Sequence, residues 1–313
     1  MINAKPKMAK LRELTVSGGS LGFVRAGGRD IDASRLGGER PFTAGESVAL
    51  FDGDALPLGT ALADPDNQLL RLLALPSDEL PGIDGALAGI RVERAYAIRK
   101  QLGLVEPGAT YRLFHGAGDG LPGFSCDILG RFAVLYAYGE ALLPFARKLA
   151  DAVRGFARAD GVVIKVRRRG GAGQVAHEVI GNPPPEPAVG HEHGVPFELH
   201  LTSGLNTGLF TDMREQRRGI ARMAAGARVL NLFSYTGALS VAAARAGAAS
   251  VCSVDTSEGV QAWAQNNFRR SGFEPSDKRW QFETGDAVRF LDRGKRERER
   301  YDLIMIDPPT FST

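Results

Sequence analysis

The sequence predicts an α/β protein in three parts: a small N-terminal β-barrel, a middle α+β domain carrying a hairpin, and a C-terminal sheet of parallel strands covered by helices. Three observations lead there. Short strands broken by turns fill residues 11 to 75, a proline-rich break spans 181 to 194, and beyond it apolar strands alternate with helices. The boundaries that follow are 1–78, 79–190 and 191–313.

In the first part, "SGGS", "AGG" and "FDGD" punctuate "SVALF" and "LLRLLAL" at the spacing of a small barrel. In the second, "RVERAYAIRKQL" (91 to 102) predicts a helix, with Val92, Ala95, Ile98 and Leu102 on its apolar stripe. "YRLFHGAGDGLPGFSCDILGRFAVLYAY" reads as two strands around a glycine-rich turn, with a second turn at Leu129-Gly130. A helix near 140 to 158 and the strand "VVIKV" (162 to 166) complete a βα unit. The stretch "GNPPPEPAVGHEHG" is the best linker in the chain.

In the third part, "RVLNLF" (228 to 233) is a buried strand followed by the small-residue helix "ALSVAAARAG". "SVCSVD" (250 to 255) and "GVQAWAQNNFRR" repeat the pattern, as do "RWQFETGD" with "AVRFLDRG", and "YDLIMID" is a fourth strand. Strands that are apolar throughout, alternating with helices, imply a parallel sheet covered on both faces.

Composition narrows the function. The 313 residues carry a net charge of only +3, so nucleic-acid binding must rest on local clusters. Two cysteines far apart have no metal-ligand spacing, and they suit a reducing cytoplasm. No apolar stretch is long enough for a signal core or a membrane span, which predicts a soluble, cytoplasmic protein without a membrane partner. His191 and His193 flank Glu192 without a third ligand nearby, so no metal is expected.

The loop "NLFSYTG" (231 to 237) leaves the first parallel strand and opens a helix, the place where doubly wound sheets hold a nucleotide-like ligand. Asp255 follows Gly237 by 18 residues at the tip of the second strand, close to the spacing at which an acid accepts from ribose hydroxyls. Asp286 stands at the third tip and Asp307 at the fourth. The loop has one glycine where a pyrophosphate would want several, so S-adenosylmethionine fits better than NAD. A helix-capping loop without a ligand is the competing account. In "DPPTF", two prolines hold the backbone extended, so the Asp307 carboxylate and carbonyl oxygens can accept from a base while Phe311 can stack on one swung out of its helix.

With these residues in order, the chain resembles the bacterial large-subunit rRNA methyltransferases of the class I, S-adenosylmethionine-dependent type. It is most similar to the branch with an N-terminal PUA domain, whose members methylate cytosine at carbon 5. "AGESVALFDGDALPLGTALADPDNQLLRLLAL" resembles the PUA barrel, and "YRLFHGAGDGLPGFSCDILGRFAVL", with Asp119, Leu121, Pro122, Gly123 and Asp127, resembles the middle-domain hairpin. "HEHGVPFEL", "TGLFTDMREQR", "RVLNLFSYTG" and "SVDTSEG" match in order and spacing.

The resemblance implies a Rossmann-like methyltransferase sheet. Its cofactor would be held by Asn231, Phe233, Ser234, Tyr235, Thr236, Gly237, Asp255 and Asp286, with Asp212 and Arg214 at the amino-acid end. It places Asp307, Pro308 and Phe311 at the target base and makes 23S rRNA the partner. The oligomeric state stays open, a homodimer among the alternatives. One departure matters: "DPPTFS" and "NTGLF" look more like the sister branch that methylates guanine at nitrogen 7.

Carbon-5 chemistry needs a cysteine thiolate, and neither Cys126 nor Cys252 is positioned to supply one. In the cytosine branch that nucleophile follows a fifth strand, and the sheet here ends after its fourth. The expectation is a C-terminally truncated chain, inactive alone. Lys165, Arg167, Arg168 and Arg169 form a cationic cluster that could track a phosphate backbone, together with Arg99, Lys100 and the basic arm Lys5, Lys7, Lys10 and Arg12. A non-catalytic RNA-binding protein is the alternative from another class. A dinucleotide oxidoreductase is disfavoured by the single glycine of the loop.

Overall fold

A computed structural model describes residues 11–36, 41–80, 82–167, 175–204 and 206–309. It separates into two compact units, Met1–Val105 with Arg112–Pro183, and Glu106–Tyr111 with Pro184–Thr313.

The first unit opens with β1 (Arg12–Thr15), α1 (Gly18–Arg25), β2 (Asp30–Asp32), β3 (Ser47–Phe51), β4 (Pro57–Asp64) and β5 (Leu69–Ala74). The strands form one sheet in the order β1-β3-β4-β5-β2. The two outer strands, β1 and β2, are not paired with each other among the described residues, so the expected closed barrel is not found. Alternation in "SVALF" sends Val48 and Leu50 into a core with Ile31, Ala61, Ala63, Leu70 and Leu72. The expected "SGGS" turn is instead the start of α1. Leu21 and Val24, three residues apart, both pack on this core, and that burial overrides the poor helix propensity of glycine.

Next come α2 (Gly85–Gln101), β6 (Thr110–His115), β7 (Phe124–Leu129), β8 (Phe132–Ala137), α3 (Leu143–Ala157), β9 (Gly161–Val166) and β10 (Val175–Gly181). Their sheet runs β10-β9-β8-β7-β6. The helix α2 begins six residues before the expected start at 91, because the Asp84 carboxylate accepts from the backbone N–H of Ala86 and Leu87. Lys165 lies within β9 and is fully buried. Its ammonium is therefore not on the surface to follow a phosphate backbone, which corrects that expectation. Arg167 is exposed beside the Tyr138 ring, and Arg168 and Arg169 lie outside the described residues.

The second unit starts with a hairpin, β11 (Ala188–Glu192) and β12 (Val195–Leu199). Its turn places His193 and Gly194 at φ 50° and 75°, the left-handed pair that a two-residue hairpin loop requires. The unit boundary at Pro183–Pro184 falls inside the expected linker, but residues 188–194 belong to this hairpin. Then follow α4 (Arg214–Met223), β13 (Arg228–Leu232), α5 (Ala238–Arg245), β14 (Ser250–Asp255), α6 (Glu258–Arg270), β15 (Trp280–Thr284), α7 (Ala287–Glu297) and β16 (Leu303–Ile306). The four strands from β13 onward are parallel, in the order β15-β14-β13-β16. Sequence order therefore reverses at β13, with β14 on one side and β16 on the other. That switch point opens a crevice at the strands' carboxyl ends.

Candidate functional site

A cavity of about 560 Å³ lies at that crevice, within the second unit. The loops after β13, β14 and β16 line it, together with the segment that precedes α4. The loop after β13 is held in an unusual shape. Phe233 and Tyr235 adopt left-handed φ of 59° and 48°, and Gly237 one of 74°. For bulky aromatic residues this conformation costs on the order of 1–3 kcal/mol each, and it persists only where neighbours enforce it. Here the Ser234 amide donates to the Val254 carbonyl at 2.9 Å, and the Gly237 amide donates to the Ser234 carbonyl at 2.9 Å. The Tyr235 amide donates to Asp255 Oδ2 at 2.9 Å.

Asp255 thus braces the loop before any ligand is considered. Its Oδ1 also accepts from the Ser257 amide at 3.2 Å. Each oxygen retains a second lone pair, and the residue lines the cavity. Ser234 lines it too, and its buried Oγ has no partner among the described residues. An orphaned hydroxyl is costly unless something answers it, so a ligand with hydrogen-bonding groups suits this spot.

The remaining predicted residues divide. Phe233, Tyr235, Asp212, Asp307 and Pro308 all line the cavity, joined by Pro309, and Asp307, Pro308 and Pro309 are exposed at its edge. Phe311 lies outside the described residues. Thr236 sits beneath the loop, where its Oγ1 donates to the Gly208 carbonyl at 2.6 Å and its own carbonyl accepts from Asn267 Nδ2 at 2.8 Å. Gly237 packs against α6, where an added Cβ would meet Ala264 Cβ at 2.9 Å. Asn231 is buried one layer deeper and donates through Nδ2 to Ser240 Oγ, which in turn bonds Ser253 Oγ. Asp286 is exposed and caps α7, accepting from the Arg289 amide at 2.9 Å; its neighbours Gly285 and Ala287 are the ones that line the cavity.

Arg214 does not line the cavity. It is buried, and its Nη1 donates to the Thr110 carbonyl at 3.1 Å. The arginine that does is Arg217, three residues further along α4. Residue-by-residue reading missed it. The spacing in "REQR" was the available signal, since positions i and i+3 share a helix face. Its partner, Glu192 in the β11–β12 hairpin, lies 25 residues away, and nothing local announces it.

The segment before α4 supplies an aromatic wall. Phe210 lies 5.3 Å from Tyr235 between ring centroids, and Tyr235 lies 6.2 Å from Trp263. Close packing there depends on Gly208, at φ 101°, where an added Cβ would sit 2.1 Å from Trp263 Cζ2. Burial pushes the Tyr235 hydroxyl up to about 12, against a hydrogen bond from the Gly208 backbone and with help from the Asp255 charge. Both thiols are protonated at neutral pH: burial raises Cys126 well above its ordinary value and pushes Cys252 up to about 12. Neither supplies a thiolate nucleophile. No cluster of metal-ligating side chains occurs among the described residues, and no described helix is long and apolar enough to cross a membrane.

Comparison with known proteins agrees with this geometry. Residues 139–313 match the S-adenosylmethionine-dependent methyltransferase family. A relative named ribosomal RNA large subunit methyltransferase I, from Erwinia tasmaniensis, is 32% identical over 275 residues, covering 85% of this chain and 68% of that protein. The protein of the same name from Alteromonas mediterranea is 32% identical over 277 residues, covering 85% of this chain and 67% of that one. A solved methyltransferase structure, SMU.776, complexed with SAH, superposes with a TM-score of 0.83 at 27% identity, covering 97% of this chain and 77% of that one. The chain belongs to the S-adenosylmethionine-dependent methyltransferase family. S-adenosylmethionine is its cofactor.

Proposed function

We propose that the protein transfers a methyl group from S-adenosylmethionine to a base of large-subunit, 23S, ribosomal RNA. The observation that carries the reading is one cavity lined by the strained loop, Asp255, Ser234 with its orphaned hydroxyl and the exposed Asp307-Pro308-Pro309 turn. The two relatives named as rRNA large subunit methyltransferases supply the substrate class. S-adenosylmethionine brings an electrophilic methyl group on a sulfonium. The loop residues 233–235 and Asp255 hold the cofactor, Asp255 accepting from its ribose hydroxyls and Ser234 Oγ meeting a further polar group. Thr236, Gly237, Asn231 and Asp286 act from behind, by fixing the loop and the helices that flank it.

At the cavity edge, Asp307 offers its carboxylate and carbonyl oxygens to the N–H groups of a base held against Pro308, with Phe311 as the stacking partner. The base is cytosine at carbon 5 on the family resemblance. The second reading is guanine at nitrogen 7, the branch that "DPPTFS" and "NTGLF" resemble; that ring nitrogen can attack the methyl group without a covalent enzyme intermediate. The five-stranded sheet of residues 12–74 would be the RNA-gripping PUA-like part, with Arg167, Arg168 and Arg169 adding phosphate contacts.

The test is transfer of a labelled methyl group to ribosomal RNA, followed by mass analysis of the digested nucleosides. Label in a single cytidine or guanosine of large-subunit RNA, lost in Asp307→Ala, is the expected result. RNA binding without label in the wild type, under conditions where the cofactor is bound, would support a non-catalytic RNA-binding protein instead.

A further inference from the structure

The cavity is lined by three carboxylates, Asp212, Asp255 and Asp307, and by one cation among the described residues, Arg217. Arg217 is almost wholly buried, and its guanidinium is clamped on two sides. Nε donates to Glu192 Oε1 at 2.6 Å, and Nη2 donates to Glu192 Oε2 at 2.6 Å and to the Phe210 carbonyl at 2.7 Å. The remaining nitrogen, Nη1, makes no hydrogen bond among the described residues and is absent from the buried orphans. Two N–H donors are thus left over, on a side chain that lines the cavity and cannot swing away.

This arrangement has a definite chemistry. Glu192 neutralises the charge of Arg217, so the group contributes direction more than net attraction. With Nε and Nη2 occupied, the planar fork keeps its Nη1 end to donate a charge-assisted hydrogen bond to a second carboxylate. The cofactor has one anionic group, the carboxylate of its methionine tail, and the cavity has one cation to receive it. Its ribose hydroxyls and its ammonium are donors, which the three aspartates can accept.

Resting on the cofactor reading of the cavity, we infer that Arg217, positioned by Glu192 and the Phe210 carbonyl, binds the carboxylate of the cofactor's amino-acid tail. Arg214 has no part in that contact. Glu192 is a positioning residue: it touches no ligand and acts by holding the guanidinium with Nη1 left for the ligand. The pair also connects the β11–β12 hairpin to the aromatic wall, since the same Nη2 that meets Glu192 holds the backbone of Phe210.

The test compares two ligands, S-adenosylhomocysteine and 5′-methylthioadenosine, which share the adenosine and the thioether and differ by the amino-acid tail. Because Arg217→Met alone would strand a buried Glu192, the double variant Glu192→Gln/Arg217→Met is used, with circular dichroism to verify folding. Calorimetric titration of wild type should give tighter binding of S-adenosylhomocysteine than of 5′-methylthioadenosine. The double variant should lose roughly 10- to 100-fold for S-adenosylhomocysteine, the range of a hydrogen bond between charged groups, and change less than about twofold for 5′-methylthioadenosine. Arg217→Lys, which keeps the charge and loses the fork, should retain part of the difference. Equal losses for both ligands would make the pair purely structural and overturn the inference, as would no loss for either. A wild-type protein that binds neither ligand would overturn the cofactor reading of the cavity, and the inference with it.

Discussion

Arg71 in the first unit and Arg217 in the second are both buried arginines paired to a buried carboxylate, yet they are finished differently. Arg71 spends every nitrogen inside its own unit: Nε and Nη2 donate to Asp64 Oδ2 at 3.1 and 2.8 Å, and Nη1 donates to Asp30 Oδ1 at 3.0 Å. Asp64 is in turn satisfied by Asn67 Nδ2, which also donates to the Tyr138 carbonyl. Arg217 has the same kind of clamp on one edge and leaves the other edge on a cavity. A closed network of this kind specifies structure, while an open one prepares a binding group. Burial and pairing alone do not distinguish them; the count of occupied donors does.

The largest expected effect tests the closed side of that comparison. Arg71→Met leaves Asp64, which is wholly buried, without its counter-charge, and should destabilise the first unit by about 3–5 kcal/mol. Denaturant unfolding with hydrogen exchange in β4 and β5 would measure it. A loss below about 1 kcal/mol would mean that the network is dispensable.

Next comes the strained loop, through pH. Tyr235 has its folded pKa raised to about 12 from an ordinary 10.0, chiefly by burial. Folding therefore disfavours the tyrosinate: the stability is fully present below pH 10 and is lost as pH rises towards 12. The difference corresponds to about 2–3 kcal/mol. Tyr235→Phe should show a shallower decline than wild type across that window and a similar stability at pH 8. Parallel curves would place the ring in a more solvated setting than the cavity wall.

The smallest effect separates two acids that the sequence presents alike. Asp286 caps α7 through the Arg289 amide and does not line the cavity, whereas Asp255 braces the loop through the Tyr235 amide and lines the cavity. Asp286→Ala should cost about 1 kcal/mol of stability and leave cofactor affinity within about twofold in a titration. A large loss of affinity would bring Asp286 back among the ligand contacts.

How far the sequence carried the fold depends on how local the cause was. The strand–helix alternation from Arg228 to Ile306 was readable, because apolar runs such as "RVLNLF" and "SVCSVD" are long and bounded by turn residues. Spacing alone puts the loop Phe233 to Gly237 and Asp255 at neighbouring strand tips, but it does not give the hydrogen bond by which Asp255 braces the Tyr235 amide. Three further features were not readable. Helix α1 depends on Leu21 and Val24 meeting a sheet built partly from β3 to β5, far along the chain. Lys165 reads as surface charge beside Arg167, yet β9 is buried at every position, between the neighbouring strands β8 and β10. Arg217 matters only because Glu192 arrives from a separate hairpin, and a single sequence does not disclose that pairing. Arg214, the more conspicuous residue of "TDMR", does not line the cavity; the role at the cofactor's amino-acid end is proposed for its neighbour one helical turn on.

On the proposed reading, the cavity after β13 and β14 is built around Asp255 to bind S-adenosylmethionine. Equilibrium titration of wild type and Asp255→Ala with S-adenosylmethionine and, separately, with NAD tests it most directly. Saturable binding of S-adenosylmethionine and none of NAD is the expected result. Asp255→Ala should weaken that binding roughly 10- to 100-fold, because it removes the proposed ribose acceptor together with the brace on the Tyr235 amide. Binding of NAD in its place, or an affinity for S-adenosylmethionine unchanged by Asp255→Ala, would contradict it.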